Sequence, residues 1–325
     1  MKCSMNLVGD TDGGKALLAF SGGKDSTAML VRILEMNDPV NYPLDYVVFS
    51  DTDFEFPELY QYLDFIELWV KEKYPDRGIE FKRIRASKTY DEWMNGVWVS
   101  GYKEGKPRGV PMRAPPCWWS REAKIRPMQR FAKANDVGMM YLGIAHDEQS
   151  RITKTEGVRY PLDEWEWTEA DCLAYLDHMG ISNFLYQHFN RLGCFHCIKQ
   201  PISSWYQLWK GWPDLWEICM KYDAHSREIA GHGLVFEMSM VELEEMFEGG
   251  WVPKDAPDFK CVSCDAVRFA AAGVLDESDF EVDEAIQLHP DYEGSKAQEL
   301  DMEEARSKTV WEPPSHKGRI DGDWL

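Results

Sequence analysis

Ser21-Gly22-Gly23-Lys24-Asp25-Ser26-Thr27 is the densest run of residues in this chain that could do chemistry on an anion. Two adjacent glycines let the backbone approach a ligand closely, and the amides of a helix N-terminus point at whatever negative group sits there. Ser21, Ser26 and Thr27 add hydroxyl donors, and Lys24 adds a positive charge. Asp25 would repel phosphate unless a cation lies between, so its presence suggests Mg²⁺. The string lacks the G-x-x-x-x-G-K-[ST] spacing of a Walker A loop. It reads as a phosphate cradle of another kind.

Cysteine supplies a second chemistry. Four of the eight cysteines form two CxxC pairs, Cys194/Cys197 and Cys261/Cys264. Cys194-Phe195-His196-Cys197 brings two thiolates within reach of one ion, and a third and fourth from elsewhere would close a tetrahedral or cubane site. Zinc on Cys194, Cys197, Cys261 and Cys264 is the plain structural alternative, and spacing alone does not choose. His196 is a neighbour rather than a ligand in this reading. Cys3, Cys172 and Cys219 stand alone, as small buried hydrophobes do.

The formal net charge of −20 opposes indiscriminate adhesion to nucleic acid. Two basic clusters stand out against it: Lys82, Arg83, Arg85 and Lys88, then Arg108, Arg113, Arg121, Lys124, Arg126, Arg130 and Lys133. Each is either solvated surface or an anion-binding face for a polyphosphate or a nucleic-acid backbone. Trp205 to Trp216 could stack bases, but aromatics at this spacing ordinarily pack a core. No stretch has the length of a membrane span and the first residues lack a signal-peptide pattern, so a cytoplasmic protein without membrane contact is expected.

The elements that must position these residues alternate. Strands are expected at Lys15 to Phe20, Tyr46 to Phe49, Phe81 to Ile84 and Met139 to Ile144. Helices are expected at Asp25 to Met36, Pro57 to Lys73 and Ala123 to Asn135. That order implies an α/β fold, a parallel twisted sheet with helices on both faces, whose ligands sit at the strands' carboxyl ends. Beyond it, helices are expected at Thr168 to His178, Ser203 to Tyr222 and Ser239 to Phe247. Three parts follow: a nucleotide-binding α/β domain over 1–160, a helical cysteine-containing region over 161–270, and an acidic tail over 271–325.

In its strand–loop–helix setting the SGGKDS string resembles the PP-loop family of ATP pyrophosphatases, the adenine nucleotide alpha hydrolases, and implies that Ser21 to Thr27 hold ATP. Asp51-Thr52-Asp53-Phe54-Glu55-Phe56-Pro57-Glu58 resembles a DTGxxFPET segment of the phosphoadenosine phosphosulfate (PAPS) reductases, with Asp53 where glycine is usual. Leu142 to Arg151, Tyr160 to Asp171, Asn183 to Tyr186 and Arg191 to Cys194 resemble further segments of that branch, in order. The resemblance implies nucleotide contacts from Asp51, Thr52, Gly143, Ser150 and Arg151, with Lys24, Asp25 and Asp51 in catalysis. Pro116-Cys117-Trp118 stands where cluster-binding relatives carry Cys-Cys. It therefore implies a [4Fe–4S] cluster on Cys117, Cys194 and Cys197, with Cys261 or Cys264 completing the set.

The C-terminal Glu-Cys-Gly-x-His tail with which the reductases attack sulfur is missing, and that chemistry needs a thiolate nucleophile. The expectation is therefore an enzyme that cleaves ATP at the α-phosphate, with ATP and Mg²⁺ as cofactors and a nucleic acid or nucleotide as second substrate. Sulfur incorporation and mobile-element or CRISPR-type systems are the settings the resemblance suggests. The alternatives are a sulfonucleotide reductase that releases sulfite, and a non-catalytic nucleotide sensor bound to a protein partner. His146 and Asp147 follow a strand end, where packing is the ordinary role.

Overall fold

Lys15–Phe20 (β1) is a run of apolar residues in which neighbours point to opposite faces of a sheet. Leu17 and Leu18 are both fully buried, so both faces are covered. The structure is a computed structural model that describes residues 14–101, 103–113, 117–236 and 238–257. These belong to the first of two units, Met1–Asp283. Cys261, Cys264 and the acidic tail expected over 271–325 lie outside the described residues.

The chain continues through Lys24–Met36 (α1), Tyr46–Asp51 (β2), Pro57–Lys73 (α2) and Glu80–Arg85 (β3). A short helix, Tyr90–Met94 (α3), starts on a capping box between Thr89 and Glu92. A π-helical turn, Ser120–Ile125, runs without a break into Arg126–Ala134 (α4). Then come Val137–Leu142 (β4), a 3₁₀ turn at His146–Arg151, Val158–Arg159 (β5), Pro161–Glu164 (α5) and Glu169–Met179 (α6). After a 3₁₀ turn at Phe184–Gln187 the chain forms Ile202–Gly211 (α7), Pro213–Ala230 (α8) and Met240–Glu248 (α9).

The five strands are parallel in the order β3-β2-β1-β4-β5. On one face Leu17, Tyr46, Val48, Val137 and Met140 pack with Met128 and Ala132 of α4. β3 lies at an edge of the sheet, and its EFKRIR side chains are exposed or half-buried, as an edge tolerates.

Three departures from the expected elements have local causes. The helix expected from Ala123 begins earlier, as the π turn. The helix expected from Ser203 to Tyr222 is two, because Pro213 cannot continue the backbone ladder past Trp212. β2 runs on to Asp51, which places that carboxylate at a strand end instead of in a loop. Trp205, Trp212 and Trp216 are buried, with the indoles of Trp212 and Trp216 donating to Glu58 and Glu244 at 2.8 Å, so this segment packs. Among the described residues no helix is long and apolar enough to cross a membrane.

Candidate functional site

The strand order turns at β1, which has β2 on one side and β4 on the other, and crevices at such switch points receive the ligands of open parallel sheets. Ser21–Gly23 leaves β1 there. Gly22 has φ +68°, and a Cβ on it would fall 2.7 Å from Leu59 Cδ1, so both the turn and the seat on α2 demand glycine. Gly23 caps α1 in an extended conformation. Gly143, just past β4, descends on the first turn of α1: a Cβ there would stand 3.0 Å from Ser26 N. Its role in the structure is this close approach.

The loop's donors are closed by hydroxyls. Ser21 N donates to Ser26 Oγ at 3.2 Å, Gly23 N to Ser21 Oγ at 3.3 Å, and Lys24 N to the Tyr186 hydroxyl at 2.8 Å. Neutral hydroxyls are weaker acceptors than phosphate oxygens, so an arriving phosphate would outcompete them. The Ser26 and Thr27 hydroxyls both donate to Gly23 O, at 3.1 and 3.0 Å, and Thr27 is wholly buried. Asn183 Nδ2 donates to Gly22 O at 3.2 Å and holds the turn from the other side.

Lys24 is buried with its ammonium 2.7 Å from Glu169 Oε2, 3.2 Å from Asp25 and 5.6 Å from the centre of the Tyr186 ring. Burial alone would lower the Lys24 pKa. The Glu169 hydrogen bond and the charges of Asp25 and Glu169 outweigh it and leave the ammonium raised. Burial lifts Asp25 above the ordinary carboxylate range, Lys24 opposes, and Glu169 and Glu148 add to the rise. Asp25 Oδ1 is buried and accepts no hydrogen bond. That oxygen lies 3.2 Å from the Lys24 ammonium, and carboxylates gathered here are the ligand type of a hard divalent cation.

Asp51 is engaged inside the protein. Its Oδ1 accepts from the Tyr60 hydroxyl at 2.6 Å and from Asp53 N at 2.9 Å, and its Oδ2 accepts from Arg85 Nη2 at 2.8 Å. Thr52, wholly buried, donates to Glu55 Oε1 at 2.8 Å and accepts from Cys194 Sγ at 3.3 Å, which turns it toward the cysteines. Ser150 and Arg151 lie exposed in the 3₁₀ turn, with Arg151 paired to Glu148. His146 is bound to Asp163 at 2.8 Å, and Asp147 accepts from Glu169 N at 3.2 Å.

Cys117, Cys194 and Cys197 are free thiols of one neighbourhood. Burial raises Cys117, and Cys197 adds to the rise; burial raises Cys194, helped by Glu55 and Cys197 and opposed by Lys124. The Lys124 ammonium lies 3.6 Å from Glu55 and is raised, burial being outweighed by Glu55 and the two thiols of Cys194 and Cys197. Thiols are the donor type of thiophilic metals, and Lys124 sets a positive charge beside these. Among the described residues no group of three His, Cys, Asp or Glu is close enough to hold a metal ion.

Glu169, Asn183 and Tyr186, which complete the loop, were not expected there from sequence. Their signals were the Thr168–Asp171 capping box that seats Glu169, and the Asn-Phe-Leu-Tyr segment.

The chain matches the phosphoadenosine phosphosulfate reductase domain over residues 15–200. An uncharacterised protein of Methanocaldococcus jannaschii is 27% identical over 227 residues, 66% of this chain, and the chain spans 42% of that relative's length. A crystal structure of phosphoadenylyl-sulfate (PAPS) reductase from Candida auris, a phosphate complex, aligns over 57% of this chain and 83% of that one, at 16% identity and a TM-score of 0.38. The family match takes in the loop after β1, the segment after β2 and the cysteines beyond α6, more than half of the sequence, and the chain therefore belongs to the family of the phosphoadenosine phosphosulfate reductase domain.

Proposed function

We propose that this chain is an ATP-using enzyme that cleaves ATP at its α-phosphate. The loop Ser21 to Thr27 takes the β,γ-phosphates, and an oxygen of a nucleotide or nucleic acid attacks the α-phosphorus. The bond from that phosphorus to the bridging oxygen breaks, and pyrophosphate departs with the electron pair. The observation that supports this most is the buried Lys24 ammonium at the N-terminus of α1, 3.2 Å from both oxygens of Asp25.

In this reading the amides of Gly23 and Lys24 exchange their hydroxyl partners for phosphate oxygens. Lys24 turns from Glu169 toward the departing charge. Asp25, with Glu169 or Glu148, would hold Mg²⁺, which when bound neutralises charge on the phosphates. Fixed donors of this kind act by electrostatic stabilisation and positioning, the main resources in phosphoryl transfer. Asp51 could serve a cation only by releasing Tyr60 or Arg85; while it holds them it anchors Arg85 beside the site.

Cys117, Cys194 and Cys197, with Cys261 or Cys264, are proposed as ligands of a [4Fe–4S] cluster, with zinc as the alternative. No step above passes through that group. Metal analysis and the visible spectrum of anaerobically purified protein separate the two: a broad absorption in the blue means iron–sulfur, and a colourless zinc protein means the structural site.

The test of the nucleotide reading is calorimetry with ATP and Mg²⁺, followed by an assay of pyrophosphate release with nucleotide and oligonucleotide acceptors. Binding with release supports it; absence of any binding heat sinks it. Family membership also favours a sulfonucleotide substrate. Release of sulfite from an adenosine phosphosulfate in the presence of a thioredoxin would replace the ATP reading with the reductase one.

A further inference from the structure

Arg108 is only 6% exposed, which is unusual for a charge that must otherwise be paired. Its guanidinium lies over two indoles, 4.6 Å from the centre of the Trp93 ring and 5.4 Å from that of Trp98. Its Nε donates to Val97 O at 3.1 Å. Three N–H groups around it, Arg108 Nη1, Trp93 Nε1 and Trp98 Nε1, are buried without an acceptor. Buried donors left unmade each cost a desolvation penalty, so a cluster of them calls for a partner that is not part of the fold.

The surrounding charge points the same way. The π turn carries Arg121 and Arg126 onto one buried carboxylate: Arg121 Nε donates to Glu122 Oε1 at 3.0 Å, and Arg126 Nη1 to Glu122 Oε2 at 2.7 Å. Both arginines expose about half of their side chains, 53% and 48%. Burial pulls Arg108 below its ordinary pKa, and the charges of Arg121 and Arg126 pull it further while Glu122 opposes. Two guanidinium groups thus share one carboxylate, and Arg108 lies within electrostatic reach of all three. The surplus of positive charge matches a phosphate or sulfate group, which carries close to two negative charges, better than it matches a carboxylate. Guanidinium forks and indole N–H groups are donors only, and the unprotonated oxygens of a tetrahedral oxyanion offer several acceptors to them.

We infer that Arg108, Trp93, Trp98, Arg121 and Arg126 form a binding site for a phosphate-class oxyanion, apart from the loop at Ser21 to Thr27. The site deepens the proposed function, because it gives the second, anionic substrate a place; its existence does not depend on ATP cleavage. The oxyanion is either free or the terminal phosphate of an oligonucleotide. Val97 and Val99, beside these buried donors in the chain, are exposed at 48% and 78%.

The experiment is calorimetry on the full chain with sodium phosphate, then with a short single-stranded oligonucleotide bearing a 5′-phosphate and its 5′-hydroxyl counterpart. Each is run on the wild type, on Arg108→Met, on the exposed pair Arg121→Gln with Arg126→Gln, and on Glu122→Gln. Phosphate is expected to bind the wild type, and to bind Arg108→Met and the double variant about tenfold or more weaker. Glu122→Gln removes the competing carboxylate and is expected to tighten phosphate binding, whereas a purely structural trio would loosen or unfold. Preference for the 5′-phosphorylated strand, displaced by phosphate, assigns the oligonucleotide source; phosphate binding without oligonucleotide binding assigns the free one. Absence of phosphate binding, or binding unchanged by Arg108→Met, overturns the site. ATP with Mg²⁺ titrated into the same samples separates the two proposals. Heat from ATP but not from phosphate sinks this site alone, and heat from Arg108-dependent phosphate binding without ATP sinks the nucleotide reading alone.

Discussion

The loop after β1 and the arginine cluster around Glu122 are both rich in donors, yet they keep those donors differently. In the loop the amides are occupied by Ser21, Ser26 and Tyr186, and the ammonium of Lys24 by Glu169 and Asp25. Around Arg108 three buried donors have no hydrogen-bond acceptor, and one carboxylate serves two half-exposed arginines. A cradle made of backbone can borrow hydroxyls from its own turn, its helix and a neighbouring segment, and so is stable in closed form. A cradle made of indoles and guanidinium groups has no acceptors of its own to borrow. The first exchanges partners on binding, while the second acquires them.

The sharpest way to break this comparison is Lys24→Ala. Removing the one cation at the helix start should lower pyrophosphate release by about 10²- to 10³-fold, as loss of a preorganised charge does, with little change in phosphate binding at Arg108. A fall in both would mean that the two regions are one site.

Gly143→Ala tests how tightly the loop is held from β4. Its new methyl would stand 3.0 Å from Ser26 N, so a loss of roughly 1–3 kcal/mol is expected in chemical denaturation, with weaker ATP binding. Unchanged stability would show that β4 does not brace the helix start.

Tyr186→Phe frees Lys24 N from its hydroxyl acceptor. It should cost about 0.5–1.5 kcal/mol of stability while leaving ATP affinity equal or tighter, because the phosphate no longer displaces a partner. Weaker ATP binding would place Tyr186 among the ligand's own contacts.

The smallest effect is a control outside both regions. Burial raises the Glu58 pKa, the Trp212 indole opposing, and one of its oxygens is buried without a partner. Its folded pKa therefore exceeds the unfolded value of 4.5, and the fold loses stability as pH rises from there through the raised pKa. Glu58→Gln keeps an acceptor for Trp212 and lacks that loss. Its advantage in melting temperature, worth below about 1 kcal/mol, should open above pH 4.5 and then level off. An advantage independent of pH would refute the assignment.

Much of this was legible in the residues. The strands at Lys15, Tyr46, Phe81 and Met139 and the helices at Asp25 and Pro57 show because apolar spacing is a local property. The loop shows because its chemistry is contiguous. What closes that loop was not legible: Glu169 and Tyr186 arrive from far along the chain, and no local pattern says that an ammonium will meet them. Thr52 and Gly143 sit beside the expected site, yet one faces a thiol and the other serves by having no side chain. The cluster around Arg108 was visible only as basic composition, since composition does not distinguish a paired guanidinium from one with an idle N–H.

The π turn at Ser120–Ile125 has a consequence for phase. Its closing bond runs from Arg126 N to Arg121 O, a wider loop than the α-helix makes, and so accommodates one residue that an α-helical path would not. Were the same residues wound as an ordinary α-helix, everything after the turn would be rotated by about 100°. Met128 and Ala132 would then swing away from Leu17 and Val48. Conversely, removing one residue would let the turn close without moving that seat, so the surplus residue works as a clocking pin for the helix's hydrophobic face.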